Sequence, residues 1–116
     1  MLWQKAGMWL YANKGFLSIV QDMDNEERLL VRGRFEGDIE AFFPEAEVHV
    51  DAGTDYKYRT FLPRRQVVER VKRYMEQELD YCNYKNSVED IRRLSAYHEV
   101  WDVMYQAQQQ RVREGG

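Results

Sequence analysis

Apolar and polar residues alternate along most of the first half of the chain, which is the pattern typical of β-strands. The clearest example runs from residue 28 to residue 35, where Leu29 and Val31 fall on one side and Arg32 and Arg34 on the other. The same period of two recurs over residues 8–12, 16–21, 47–51 and 56–62. Turn residues separate the first two segments and the last two, which predicts two antiparallel hairpins.

Helical spacing begins after the third strand. Gly37 and Asp38 precede a short apolar turn, and Asp38 is the predicted N-cap. Residues 64–79 and residues 88–108 carry apolar stripes that recur every three or four positions. The sequence therefore predicts an α+β fold with about five strands in a mainly antiparallel sheet, in the order β-β-β-α-β-β-α-α, and with the helices on one face.

Length and composition agree with one small folded domain. The chain has 116 residues, of which 44% are hydrophobic and 14% aromatic, so it can build a single core. We expect an N-terminal extension over residues 1–7, one α+β domain over residues 8–108 and a flexible polar tail over residues 109–116. The apolar runs are too short for a membrane span, so no membrane association is predicted.

The sequence contains few residues that suit a cofactor or a catalytic centre. A single cysteine, Cys82, excludes an intramolecular disulfide and favours a cytoplasmic location, and the phosphate-loop and dinucleotide motifs are missing. One cysteine and two histidines cannot form a Cys/His zinc site, which leaves open only a mixed site of histidine and carboxylate ligands, and no cofactor is predicted. His49 with Asp51 and His98 with Asp102 keep open a small hydrolase, although isolated histidines of this kind are usually structural.

The candidate ligand site is the polar face of the predicted sheet. Period-two geometry places Arg32 with Arg34 on one strand and Lys57 with Arg59 on another, beside Phe61 and with Tyr56 on the opposite face. Guanidinium groups bind phosphate or carboxylate through two parallel donors, and a neighbouring aromatic ring can stack on a base. The competing interpretation is an ordinary solvated face, because exposed strands commonly alternate in this way.

Two further features lie in the second half of the chain. Lys85 precedes the last predicted helix, whose N-terminus attracts anions, so we include it among the candidate ligand residues. Tyr97, Trp101 and Tyr105 recur every four residues on that helix. Such a stripe is most simply a core contact, and it indicates a protein interface if it remains exposed.

Several short segments resemble a family of short, uncharacterised bacterial and phage proteins. The matching segments begin at Met8 and run along most of the chain to Met104: 8–10 (Met-Trp-Leu), 14–20 (Lys-Gly-Phe-Leu-Ser-Ile-Val), 30–32 (Leu-Val-Arg), 37–38 (Gly-Asp), 55–59 (Asp-Tyr-Lys-Tyr-Arg), 83–85 (Asn-Tyr-Lys) and 96–101 (Ala-Tyr-His-Glu-Val-Trp). The resemblance implies a complete domain that starts at Met8. It supplies no assigned activity and no catalytic residue.

Three functional hypotheses follow. The preferred one is a small non-enzymatic binding module that takes an anionic ligand, a nucleotide or nucleic acid on its basic sheet face. The second is a protein-interaction or inhibitor module, either a homodimer or a phage protein directed at a host defence partner. The third is the small hydrolase built around one of the two histidines.

Overall fold

The computed structural model describes residues 6–51, 53–79 and 88–115 and confirms the α+β prediction. The strands are β1 (Met8–Ala12), β2 (Gly15–Asp22), β3 (Asn25–Gly33), β4 (His49–Val50) and β5 (Tyr58–Pro63). The α-helices are α1 (Asp38–Phe42), α2 (Arg64–Arg73) and α3 (Ile91–Arg113), and a π-helical turn, Tyr74–Glu78, continues α2. The chain divides into two compact units, residues 1–81 and residues 82–116.

The strands of the first unit form one antiparallel sheet in the order β1-β2-β3-β5-β4. Both predicted hairpins, β1–β2 and β4–β5, are present. Two residues, Met23 and Asp24, join β2 to β3, so these three strands are consecutive neighbours. The connection from β3 to β5 carries α1 and β4, which places β4 at the edge of the sheet.

The core lies on one face of the sheet. Leu17, Val31 and Leu62 come from the three central strands, and Ile39 and Phe42 of α1 pack against them. Val67 and Tyr74 from α2 and the π-helical turn complete the same cluster. The helices of the first unit therefore cover one face, as the alternation of apolar residues predicted, and the other face carries the arginines.

Helix α1 is held close to the β1–β2 hairpin by its first residue. Gly37 has a φ of +91° and is the N-cap, which corrects the prediction that Asp38 caps this helix. The carboxylate of Asp38 instead accepts a hydrogen bond of 2.9 Å from the backbone nitrogen of Phe16. A Cβ at Gly15 would lie 3.2 Å from the carbonyl oxygen of Asp38, so this close approach favours glycine.

The buried side of α2 includes an arginine, whereas the sequence predicted an apolar stripe there. Arg70 donates from Nε to the carbonyl oxygen of Phe42 over 2.6 Å and from Nη1 to Glu78 over 2.7 Å. Glu78 also accepts a 2.6 Å bond from Lys14. The inward side thus includes Arg70, whereas Val68, which belongs to the apolar stripe over residues 64–79, is exposed. A salt-bridged arginine substitutes for an apolar contact because its partners satisfy its charge.

Several element ends differ from the sequence prediction. The third strand ends at Gly33, so Phe35 leaves the sheet and is exposed. The fifth strand begins at Tyr58 rather than Tyr56. Helix α3 starts at Ile91, after the N-cap Asp90, and continues to Arg113, so residues 109–113 are helical instead of part of a tail. Among the residues described, no helix combines the length and the apolar character needed to cross a bilayer.

The Glu78 ion-pair cluster predicts a pH-dependent stability. Hydrogen bonds from Arg70 and then Lys14 hold the pKa of Glu78 below its ordinary value of 4.5. The ion pairs of Glu78 therefore stabilise the folded protein above pH 4.5. This stabilisation is lost as the pH falls through the lower pKa that Glu78 has in the folded protein. We expect Glu78→Gln to lower the free energy of unfolding by about 1 kcal/mol at neutral pH. The difference should shrink below pH 4.5 in urea titrations, and a difference that stays constant down to acid pH would contradict this account.

Candidate anion-binding site on the sheet

The face opposite the core carries one continuous row of side chains across all five strands. The register pairs Trp9 with Ser18, Ser18 with Arg32, Arg32 with Arg59 and Arg59 with His49. Directly paired residues of antiparallel strands point to the same face, and neighbouring strands lie about 4.8 Å apart. The five residues therefore form a line in which two arginines occupy the centre. We call this line the arginine row.

Arg32 and Arg59 are like charges at directly opposite positions, an arrangement that destabilises a sheet. Arg32 donates from Nη2 to the hydroxyl of Ser18 over 3.0 Å. The Nε atoms of both arginines are buried and have no hydrogen-bond partner in the described part of the chain. No carboxylate in that part forms an ion pair with either arginine. Two buried donors on paired residues therefore lack an acceptor within the described residues.

Aromatic rings border the arginine row on one side. The guanidinium carbon of Arg32 lies 4.6 Å from the ring centroid of Tyr56, and that of Arg34 lies 4.1 Å from the same centroid. Tyr56 in turn lies 6.4 Å from Phe16, which stacks on Tyr11 at 4.4 Å. Tyr56 therefore attracts both guanidinium groups by cation–π interaction, and Phe16 and Tyr11 extend the aromatic surface beside it.

Among the described residues, Arg34 has a carboxylate partner and the central pair has none. Its Nη1 donates to the backbone oxygen of Asp55 over 3.0 Å and lies 3.4 Å from the Asp55 carboxylate. Burial opposes the charged form, but the hydrogen bond to Asp55 and the neighbouring Tyr56 together raise the pKa of Arg34 above its ordinary value. Arg34 is therefore charged at all relevant pH values and is partly neutralised by Asp55.

Apolar residues border the other side of the arginine row. Val20, Leu30 and Phe61 pair across β2, β3 and β5. Phe61 is 44% exposed, and the guanidinium carbon of Arg28 lies 4.4 Å from its ring centroid. Trp9, at the end of the row, is 66% exposed. The face thus combines two exposed aromatic side chains with paired cations.

The structure brings together some of the predicted ligand residues and separates others. Arg32 and Arg59 are adjacent, and Arg34 joins them through Tyr56. Lys57 precedes β5, and its ammonium lies 5.6 Å from the ring of Tyr58, whose side chain belongs to the core face. The contact described for Lys57 is thus with Tyr58 and not with the arginine pair. Lys85 lies outside the described residues.

Sequence reasoning missed three members of this site. Tyr56 was predicted on the core face because it fits the alternation of β5, but that strand begins two residues later. Trp9 and Ser18 were not linked to the arginines because only the pairing register places them in the same row. The alternation of β2 does predict the face of Ser18, so a correct alignment of β2 with β3 would have identified its contact with Arg32.

The other predicted chemistry does not converge on one place. Within the described ranges, no group of three or more histidine, cysteine or acidic side chains is arranged to hold a metal ion. His98 stacks on Trp101 with ring centroids 5.9 Å apart. The second half of the sequence also carries basic residues on α2, and two of them have partners within the protein: Arg64 bonds to Gln21, and Arg70 is buried against Phe42. Cys82 lies outside the described residues.

Comparisons with known proteins add no family or relative: no protein-family model, curated protein or solved structure matches the chain. The functional argument therefore depends on the geometry of the arginine row. A ligand of this face would have to supply acceptors for the paired guanidinium groups, including the Nε donors that have no partner among the described residues, and would lie near exposed rings.

Removing one charge from the arginine pair tests whether the two residues repel each other in the free protein. Arg59→Met keeps most of the side-chain length and removes the charge. We expect the free energy of unfolding to rise by up to about 1 kcal/mol in chloride buffer of low ionic strength. Added sodium chloride should shrink that difference by screening, as followed by urea unfolding. A variant that is less stable than the parent at every salt concentration would contradict this repulsion.

Proposed function

We propose that this protein is a non-enzymatic binding module for single-stranded nucleic acid, with a nucleotide as its smallest ligand. The observation that carries the proposal is the Arg32–Arg59 pair, whose buried Nε donors have no acceptor among the described residues. A buried donor without a partner costs about 1–3 kcal/mol, and more when the group is charged. A ligand that supplies the acceptor recovers this free energy on binding.

A phosphate group suits the paired arginines. Its oxygens accept hydrogen bonds from planar guanidinium groups in pairs, and its negative charge removes the repulsion between Arg32 and Arg59. His49 continues the row beyond Arg59, and Ser18 holds Arg32 on the other side. The protein as a whole carries a net charge of −3, so attraction of a polyanion depends on local groups of cations such as this pair.

The exposed rings favour a ligand that also carries bases. Trp9 lies three strands from Arg59, roughly 14 Å at the usual strand spacing, and Phe61 lies two residues along β5 from Arg59. A chain of nucleotides that crosses the strands therefore meets both a cationic centre and aromatic surfaces. Bases in a duplex are already stacked on each other, whereas unpaired bases are free to stack on these side chains. The combination thus favours single strands over duplexes.

Removing both central arginines tests the proposal. We expect Arg32→Ala combined with Arg59→Ala to weaken binding of a fluorescein-labelled oligothymidylate at least about tenfold, because two charge-assisted hydrogen bonds are lost. The slope of log affinity against log salt should fall by about 1.4, since each phosphate contact on a single strand contributes about 0.7. Fluorescence anisotropy over a series of sodium chloride concentrations measures both quantities.

The matched control removes the same charge from another surface. Arg65 and Lys72 are exposed on α2, and Arg65→Ala combined with Lys72→Ala should change the affinity and the salt slope much less. An equal loss in both double variants would show attraction by net charge alone. That result, or unchanged affinity in the sheet-face variant, would overturn the proposal.

A substitution at Phe61 distinguishes base stacking from phosphate binding. Phe61→Leu keeps an apolar residue at the end of the Val20–Leu30–Phe61 row and removes the aromatic ring. We expect roughly tenfold weaker binding of the oligothymidylate, because stacking on an aromatic side chain contributes about 1–3 kcal/mol per base. The salt slope should stay unchanged, since no phosphate contact is lost. A reduced slope with unchanged affinity would contradict a stacking role.

A further inference from the structure

Helix α3 carries a repeat of positions spaced by three and four residues, and none of these residues belongs to the arginine row. Positions spaced by three and four residues form one seam along the helix: Leu94, Tyr97, Trp101, Met104, Gln108 and Arg111. Alternating steps of three and four place side chains on one side of a helix, which is the spacing by which two helices pack together. His98, Tyr105 and Val112 lie along one edge of this seam, and Val100 and Ala107 lie along the other.

The two halves of the seam differ in exposure. Tyr97 is buried and Leu94 is half-buried, whereas Trp101 is 51% exposed and Met104 is 63% exposed. The rings of Trp101 and Tyr105 stack with centroids 5.3 Å apart and planes within 4°, so they form a flat aromatic surface. The sequence predicts this stripe as a core contact, but its second half remains accessible. An exposed apolar surface of this kind marks a protein interface.

We propose that the C-terminal half of α3 pairs with the same segment of a second copy of this chain, antiparallel and about a two-fold axis at the level of Gln106. The pairing is independent of the proposed nucleic-acid binding, because it uses neither the sheet nor the arginine row. Residues 98–114 of each copy contribute, so the contact is isologous.

The seam is complementary to itself about that axis. Seam residues whose numbers add up to 212 face each other, and each edge of the seam lies against the same edge of the partner. This register puts Trp101 opposite the partner's Arg111 and Met104 opposite the partner's Gln108. The first contact is a cation–π pair that occurs twice in the dimer. Tyr105 meets the partner's Tyr105 on one edge. Ala107 meets the partner's Ala107 on the other edge, where the small side chain allows close approach of the two helices.

The distribution of charge along α3 favours antiparallel pairing with a second copy over parallel pairing. The last turn of α3 is basic, with Arg111 and Arg113, and the turn around Glu99 and Asp102 is acidic. Antiparallel pairing brings each basic turn to the level of the partner's acidic turn and opposes the helix dipoles. Parallel pairing would place Arg111 beside the partner's Arg111, where like charges repel. The contact is small, so the dimer forms in a concentration-dependent way.

The oligomeric state of the full chain tests the proposal. Sedimentation velocity over a concentration series should show the parent protein passing from monomer to dimer. Met104→Glu places a charge in the seam and should raise the dimer dissociation constant at least about 100-fold. Val103→Glu is the matched control, because Val103 is 66% exposed on the same helix but lies outside the seam, and it should dimerise like the parent. A parent that stays monomeric throughout, or equal effects of the two glutamates, would overturn the proposal.

Crosslinking tests the register. In a Cys82→Ser background, Tyr105→Cys places one thiol beside its own copy at the two-fold axis, whereas Val103→Cys places it on the outer side. Mild oxidation should crosslink the first variant and leave the second largely monomeric on a non-reducing gel. A dimer that crosslinks through Val103→Cys and not through Tyr105→Cys would show a different interface.

Discussion

The pairing of β3 with β5 is the constraint on which the rest of the first unit depends. Its register sets Val31 opposite Thr60 on the core face and Arg32 opposite Arg59 on the other face. Side chains alternate with a period of two, so a slip of one residue would bury the arginines in the core and expose Val31. The same ladder that builds the core therefore brings the two cations together, and the fold cannot form without creating the arginine pair.

The surroundings of that pair determine what it can do. Tyr56 covers Arg32 and Arg34 from one side, and the row of Val20, Leu30 and Phe61 borders it on the other. Aromatic and apolar neighbours lower the local dielectric constant, which strengthens both the repulsion in the free protein and the attraction for an anion. Local conflicts of this kind are expected at functional sites, where stability is given up for binding.

The sequence allowed the face of most strand residues to be predicted, because alternation is a local property of the chain. It predicted the two hairpins and the common face of Arg32 and Arg34, and it placed Arg59 correctly within β5. The register between β3 and β5 joins residues far apart in sequence and does not follow from local alternation. The direct pairing of Arg32 with Arg59 could therefore not be predicted. Tyr56 was assigned to the wrong face because the alternation continues past the point where the strand begins.

The helices show the same limit in another form. Helical spacing predicted an apolar stripe over residues 64–79, and Val67 and Tyr74 of that stripe are buried. The burial of Arg70 depends on Phe42, which is 28 residues away in sequence, and on Glu78 in the following π-helical turn. For α3 the stripe itself was correct, yet the exposure of Trp101 and Met104 is a property of the folded chain. Periodicity therefore identifies which residues share a side of an element, and only the structure shows which of those sides are covered.

The central proposal is that the Nε donors of Arg32 and Arg59, which have no acceptor among the described residues, gain one when a nucleic-acid phosphate binds. The most direct measurement is a titration of the arginine Nε–H resonances of the ¹⁵N-labelled protein with a short oligothymidylate, in which Arg65 serves as the exposed reference. The account predicts that the Nε–H signals of Arg32 and Arg59 shift and exchange more slowly with water, while the signal of Arg65 stays in place. Unchanged signals from both sheet arginines at saturating oligonucleotide would contradict it.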